Sequence, residues 1–174
     1  MSLPPPVQLG QGFFWQDLLV GQVFRTFRRT VTETDLVNFI SCTGMLEAIF
    51  IEEGFDGGAI QGRPVPGALT YTLIEGFILQ SMIQGTGLAM LELVQKIHAP
   101  VRVGDTIHAD LEITALQPTS SRNRAVVTSD IRVFNQRGEQ VMTYTAKRLL
   151  AGRPPQALTS PDGTSLPTHK ETAP

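Results

Sequence analysis

The segment from Arg63 to Gly87, RPVPGALTYTLIEGFILQSMIQGTG, constrains the fold more than any other part of the chain. Leu69, Leu73, Ile74, Phe77, Ile78 and Met82 recur at helical spacing but occupy too many positions for a single stripe. Such a helix must be covered on most sides, so the rest of the chain has to wrap around it. Pro66 suits a first helical turn, where a missing N–H costs nothing, and Gly85 and Gly87 stand just past the end. The expected helix runs from Pro66 to Gln84, with Gly76 tolerated inside it.

Four strand-like runs follow: LAMLELVQKI, DTIHADLEITALQ, RAVVTSDIRVFNQ and QVMTYTAKRLLA, separated by HAPVRVG, PTSSRN and RGE. Upstream, GQVFRTFRRTV reads as a first strand containing Val23 and an inward Phe27. TETDLVNFISCTG then changes period. Thr32 and Asp35 have the spacing of a capping box, Leu36, Phe39 and Ile40 share a helical face, and Gly44 stops the helix. From Met45 to Arg63 no period is visible, which predicts a long irregular excursion of the kind that often carries function. This order predicts an α+β fold, with one long helix lying across a curved antiparallel sheet. A sheet of five or so strands leaves an edge or face open, and a second copy is the natural cover.

With 174 residues, 41% of them hydrophobic, the chain has material for one core. The expected domain covers residues 17–150, between a proline-rich N-terminal segment (1–16) expected to be mobile and a Pro/Thr/Ser-rich tail (151–174) expected to be disordered. A net charge of -2 without a basic stripe argues against nucleic acid as a partner. Cys42 stands alone, which excludes an intramolecular disulfide, and no Cys/His cluster has metal spacing. It is expected to be a small buried hydrophobe. No apolar run approaches the ~18 residues of a membrane span and the first residues lack secretory-signal features, so a cytoplasmic location is expected.

The strings VGQVF (Val20 to Phe24), VTETDLVNFISCTG (Val31 to Gly44), GRPVPGALTYTL (Gly62 to Leu73), PVRVGDTIHADLEI (Pro100 to Ile113) and NQRGEQV (Asn135 to Val141) occur in the order of the MaoC-like dehydratases. The chain resembles that family, which includes the R-specific enoyl-CoA hydratases. The resemblance implies a hot-dog fold and an acyl-coenzyme A thioester as substrate, with coenzyme A part of the substrate and no separate cofactor. It also implies a homodimer or higher oligomer, in some assemblies with a different hot-dog chain as partner.

The family's hydratase signature is a G-D-x-N-P-x-H-like string directly after the short helix. Aligned on Gly44, its aspartate falls on Met45, its asparagine on Glu47, its proline on Ala48 and its histidine on Phe50. Hydration of an enoyl thioester needs a base for water and an acid beside the carbonyl, together contributing about 10² to 10⁴ in rate. A thioether and a phenyl ring supply neither. The resemblance carries over the other half of the site, a backbone N–H of Gly67 at the start of the long helix, flanked by Pro66 and Ala68 and aimed at the thioester oxygen. Met45 and Phe50 would then be apolar wall.

Three functional readings stay open. Hydration proceeds weakly; the chain binds and shapes a tunnel for an intact partner; or Glu47, the one acid inside the motif, supports thioester hydrolysis. Glu47 is equally readable as a solvated loop acid, whereas Glu52, Glu53 and Asp56 are expected to be solvated loop acids. Among His98, His108 and His169, ordinary polar roles are expected, and His98 is the one best placed to face the site. Arg63, Arg122, Arg124, Lys147 and Arg148 are candidates for coenzyme A phosphates or plain surface charge.

Overall fold

A computed structural model describes residues 8–60 and 62–155. A 3-10 turn (Trp15–Asp17) leads into two short strands, β1 (Val23–Arg25) and β2 (Arg29–Thr30), and then helix α1 (Glu33–Thr43). A single helical turn, α2 (Ala48–Ile51), precedes the long helix α3 (Gly67–Ser81). Strands β3 (Gly87–Ile97), β4 (Thr106–Pro118), β5 (Arg124–Phe134) and β6 (Gln140–Ala151) complete the chain. They pair antiparallel in the order β1-β4-β5-β6-β3, with β2 also on β4.

This is the expected arrangement of a sheet around one helix, the hot-dog fold. Along β4, Ile107, Ala109, Leu111 and Ile113 are buried at every second position, and Val127, Ile131 and Val133 do the same on β5. Those faces form the core with Ile74, Phe77 and Ile78 of α3. The helix is slightly shorter than its sequence pattern, because Pro66 sits outside it as the N-cap and Ile83 N–H reaches back to Ile78.

α1 forms as its capping box predicts. Asp35 N–H donates to the Thr32 hydroxyl at 3.2 Å, Thr32 N–H donates to the Asp35 carboxylate at 2.9 Å, and Gly44 ends the helix at φ 73°. The strings PVRVGD and NQRGE have a shared structural reason. Buried Asp105 accepts hydrogen bonds from Arg102 N–H at 2.9 Å and from the Gln136 amide at 2.7 Å, tying the turn before β4 to the β5–β6 hairpin.

Three expectations need correction. The first strand is two pieces, because the hydrogen bond between Ala109 N–H and the Thr26 hydroxyl interrupts the ladder. Its inward residue is Phe24, packed on the core, whereas Phe27 is 53% exposed and only lays its ring against Phe77. Cys42 is exposed, with its thiol toward the Phe39 carbonyl, because the buried face of α1 runs through Leu36 and Ile40 instead. Hydrogen bonds also extend across both expected domain limits: Gly12 and Phe13 N–H donate to the Gln84 and Met82 carbonyls, and Gly152 N–H donates to the Asn123 carbonyl. Residues 1–7 and 156–174 of the expected tails lie outside the described residues.

His108 gives the fold a pH dependence. Its ring stacks on Phe134 and its buried Nδ1 has no partner among the described residues. Burial, then the charges of Arg25 and Arg28, push its pKa below the ordinary 6.5. The folded state therefore favours the neutral ring, and the stability this contributes is complete above pH 6.5 and is lost as pH falls through the lower folded value. Urea midpoints between about pH 7 and pH 5 should fall in wild type and fall less in His108→Gln. Equal slopes in the two proteins would show that another group is responsible.

Candidate active site

The chain leaves α1 at Gly44 and passes through Met45, Leu46 and Glu47 before α2 turns it back toward α3. Glu47 is the N-cap of α2, where its carbonyl accepts from Phe50 N–H at 2.8 Å and Ile51 N–H at 3.2 Å. That turn was not legible in the sequence, since four residues carry no helical period. It brings Phe50 back beside the start of α3. Met45, Glu47, Phe50, Pro66, Gly67 and Ala68 consequently line one open cleft of about 500 Å³.

A second, more apolar cavity of about 390 Å³ lies on the other side of Phe50 and Gly67, which line both. Ile49, Thr70, Ile97, His98 and Met142 are among its walls. His98 follows β3, held by its N–H to the Val141 carbonyl and by an Nε2 to Thr143 hydroxyl hydrogen bond of 2.8 Å. Met45, Glu47, Phe50, Pro66, Gly67, Ala68 and His98 thus each lie on one of two adjoining cavities. Glu52, Glu53 and Asp56 are exposed and line neither.

Gly67 is the pivot of the site. The N–H groups of Leu69 and Thr70 both turn to the Pro66 carbonyl, whereas those of Gly67 and Ala68 have no partner among the described residues. They form the positive end of a fifteen-residue helix and border both the cleft and, at Gly67, the apolar cavity. A Cβ on Gly67 would come within 2.3 Å of Ile97 Cδ1, so any side chain there would have to turn the end of the Ile97 side chain aside. Glu47 is the one carboxylate on the cleft, and its side chain is exposed. The arrangement can hold a carbonyl oxygen by backbone donors, place an apolar tail behind Phe50 and offer one carboxylate.

The cationic candidates separate. Arg63 pairs with Glu33, and Lys147 pairs with Glu92 at 2.8 Å. Arg122 and Arg124 lie at the β4–β5 turn, Arg122 with φ 62°. Arg148 is buried, its guanidinium 2.5 Å from Glu75, and so is no surface phosphate ligand. Sequence reasoning missed this pair because neither residue sits in a motif.

A family profile described as "FAS1-like, dehydratase domain region" matches residues 18–144. The chain belongs to this dehydratase family. It is 25% identical over 118 residues to a 3-hydroxybutyryl-CoA dehydratase of Methylorubrum extorquens, covering 68% of this chain and 74% of that one. It is 28% identical over 132 residues to an (R)-specific enoyl-CoA hydratase of Aeromonas caviae, covering 75% and 94%. The crystal structure of a MaoC-like dehydratase from Rhodospirillum rubrum superposes with a TM-score of 0.74 at 27% identity, over 82% of this chain and 99% of that one. The MaoC-like acyl-CoA hydratase/dehydratase family is therefore the setting in which the cleft has to be read.

Proposed function

We propose that the chain binds an acyl-coenzyme A thioester with its carbonyl oxygen on the Gly67 N–H, its acyl chain in the cavity behind Phe50, and only weak hydratase activity of its own. The observation that carries this is the pair of unpartnered N–H groups at the start of α3, opening on an apolar cavity. In hydration, a base takes one proton of water and the oxygen bonds to C3 of the enoyl group. The C2–C3 π electrons move toward the carbonyl oxygen, where the backbone donors hold the enolate, and C2 then takes a proton. Met45 and Phe50 can neither accept nor deliver one, which leaves Glu47 as the proton acceptor on the cleft.

A second reading, that the chain is the apolar half of a pair of hot-dog chains, is favoured by β3, whose eleven residues are all exposed at the sheet edge. Thioester hydrolysis with Glu47 as base for water uses the same cleft. Titration with butanoyl-CoA and crotonyl-CoA, combined with product analysis, distinguishes the three. Gly67→Val should weaken binding of both thioesters at least about tenfold, because the added carbons collide with Ile97 and block the donors. Unchanged binding in that variant would place the carbonyl elsewhere.

A further inference from the structure

Gly67, Tyr71, Glu75 and Leu79 follow one another at four-residue spacing and so share one face of α3. Beyond Tyr71, this face borders a third cavity of about 330 Å³, walled by Leu79, Ile83, Leu88 and Met90 and floored by Glu75 and Arg148. Apolar walls over a buried ion pair are an unusual combination. Glu75 is 7% exposed and Arg148 4%, and replacing such a pair by apolar residues is often neutral or stabilising, so stability alone gives no reason to keep it.

The hydrogen bonding is also incomplete. Tyr144 Oη donates to Glu75 Oε1 at 2.7 Å, and Arg148 donates to the same oxygen at 2.5 Å. Burial, and next the Glu75 charge, push the Tyr144 phenol far above its ordinary pKa, so it stays a donor. Both bonds fall on Oε1. Among the described residues Oε2 accepts none, and the buried Arg148 Nε has no partner. A saturated chain would leave Oε2 desolvated and unpaired, and a carboxylate would be repelled by it. A neutral hydroxyl can donate to it.

We propose that this cavity is a specificity site for a hydroxyl group carried on the distal part of the acyl chain, with Glu75 Oε2 as its acceptor. The inference rests on the thioester carbonyl lying at Gly67. Glu75 lies eight helical steps after Gly67, about 12 Å along the axis, so a four-carbon acyl group stays in the cavity behind Phe50; that cavity and the one at Glu75 share no lining residue, and only a medium-length chain that continues past Tyr71 joins them. A second copy paired along β3 would wall the open side near Leu88 and Met90, shielding the hydroxyl from competing water.

Calorimetric titration of the full chain with butanoyl-CoA, decanoyl-CoA and ω-hydroxydecanoyl-CoA tests this. Wild type should bind the hydroxylated decanoyl thioester about tenfold more tightly than the plain one. The double variant Glu75→Leu/Arg148→Met keeps the volume without stranding a charge, and should abolish or reverse that preference with butanoyl-CoA binding unchanged. Glu75→Gln, which leaves an oxygen to accept but weakens it, should fall between. Equal binding of the two decanoyl thioesters by wild type, or a preference that survives the double variant, overturns the specificity site while leaving the Gly67 site intact if butanoyl-CoA still binds. Failure of all three thioesters to bind removes both.

Discussion

Met45→Asp combined with Phe50→His is expected to raise crotonyl-CoA hydration by about 10²-fold or more over wild type. The backbone around these positions is held without either side chain: Gly44 is left-handed, Glu47 caps α2, and the Phe50 amide is fixed by its 2.8 Å hydrogen bond, so a histidine there would border both cavities beside Gly67. The carbonyl donors need no change, because they are backbone groups. Neither single substitution should give much, since an acid and a base that act on one water and one carbon work as a unit. Glu47→Gln in the wild-type background should remove residual hydration or hydrolysis, and the same substitution in the double variant should leave most of the gain. Loss of the enoyl-thioester absorbance follows the reaction directly. A double variant that folds and binds butanoyl-CoA yet gains nothing would show that these positions do not face the reacting carbons. Brisk wild-type hydration that survives Glu47→Gln would move the base to another residue, with His98 the nearest candidate, since it already lines the cavity.

The parts of this molecule that were legible in the sequence are those where one local rule fixes one structure. The buried pattern of Leu69 to Met82, the Thr32–Asp35 box and the alternation along DTIHADLEI each had a single geometric solution, and each was found. The cleft was legible only through its motif. Met45, Glu47 and Phe50 line it with Gly67 because of α2, a turn too short to leave a period. What stayed hidden depends on contacts between distant positions. Glu75 lies inside an apolar helix and Arg148 alternates along a strand, and nothing local says that two residues 73 positions apart come within 2.5 Å. Phe27 and Cys42 were misplaced for a related reason: apolar character says that a residue can be buried, but the neighbouring elements decide which face has cover.

If two copies pair along β3, charge reversal or charge insertion there should dissociate them. Natural sheets blunt long edges with charge, proline or bulges; β3 has Glu92, Lys96 and two register shifts before Glu92, but it still presents Leu88, Met90, Leu91, Leu93, Val94 and Ile97, each at least 37% exposed, along an edge strand of eleven residues. At the opposite edge, β1 has three residues and is flanked by the Arg25–Asp110 ion pair. If a second copy pairs antiparallel along β3, the position of the two-fold axis decides which residues meet. An axis at Glu92 sets two carboxylates against each other, whereas an axis at Val94 places Glu92 opposite Lys96 and Leu91 opposite Ile97. The second register satisfies both charge and apolar contact, and residues 92–97 are paired regularly to β6 on their other side, so the strand is straight enough there to use it. Light scattering at micromolar concentration should report a dimer or larger for wild type. Val94→Lys, which brings two ammonium groups together on the axis, should raise the dissociation constant at least about 100-fold, and Lys96→Glu, which faces Glu92 with a second carboxylate twice over, should do likewise. Far-UV circular dichroism should be unchanged in both, because each side chain is exposed in the single chain. A dimer that tolerates Val94→Lys would place the interface away from this edge. A wild-type monomer would mean that β3 awaits a different chain, which would favour the paired-subunit reading over a self-sufficient hydratase.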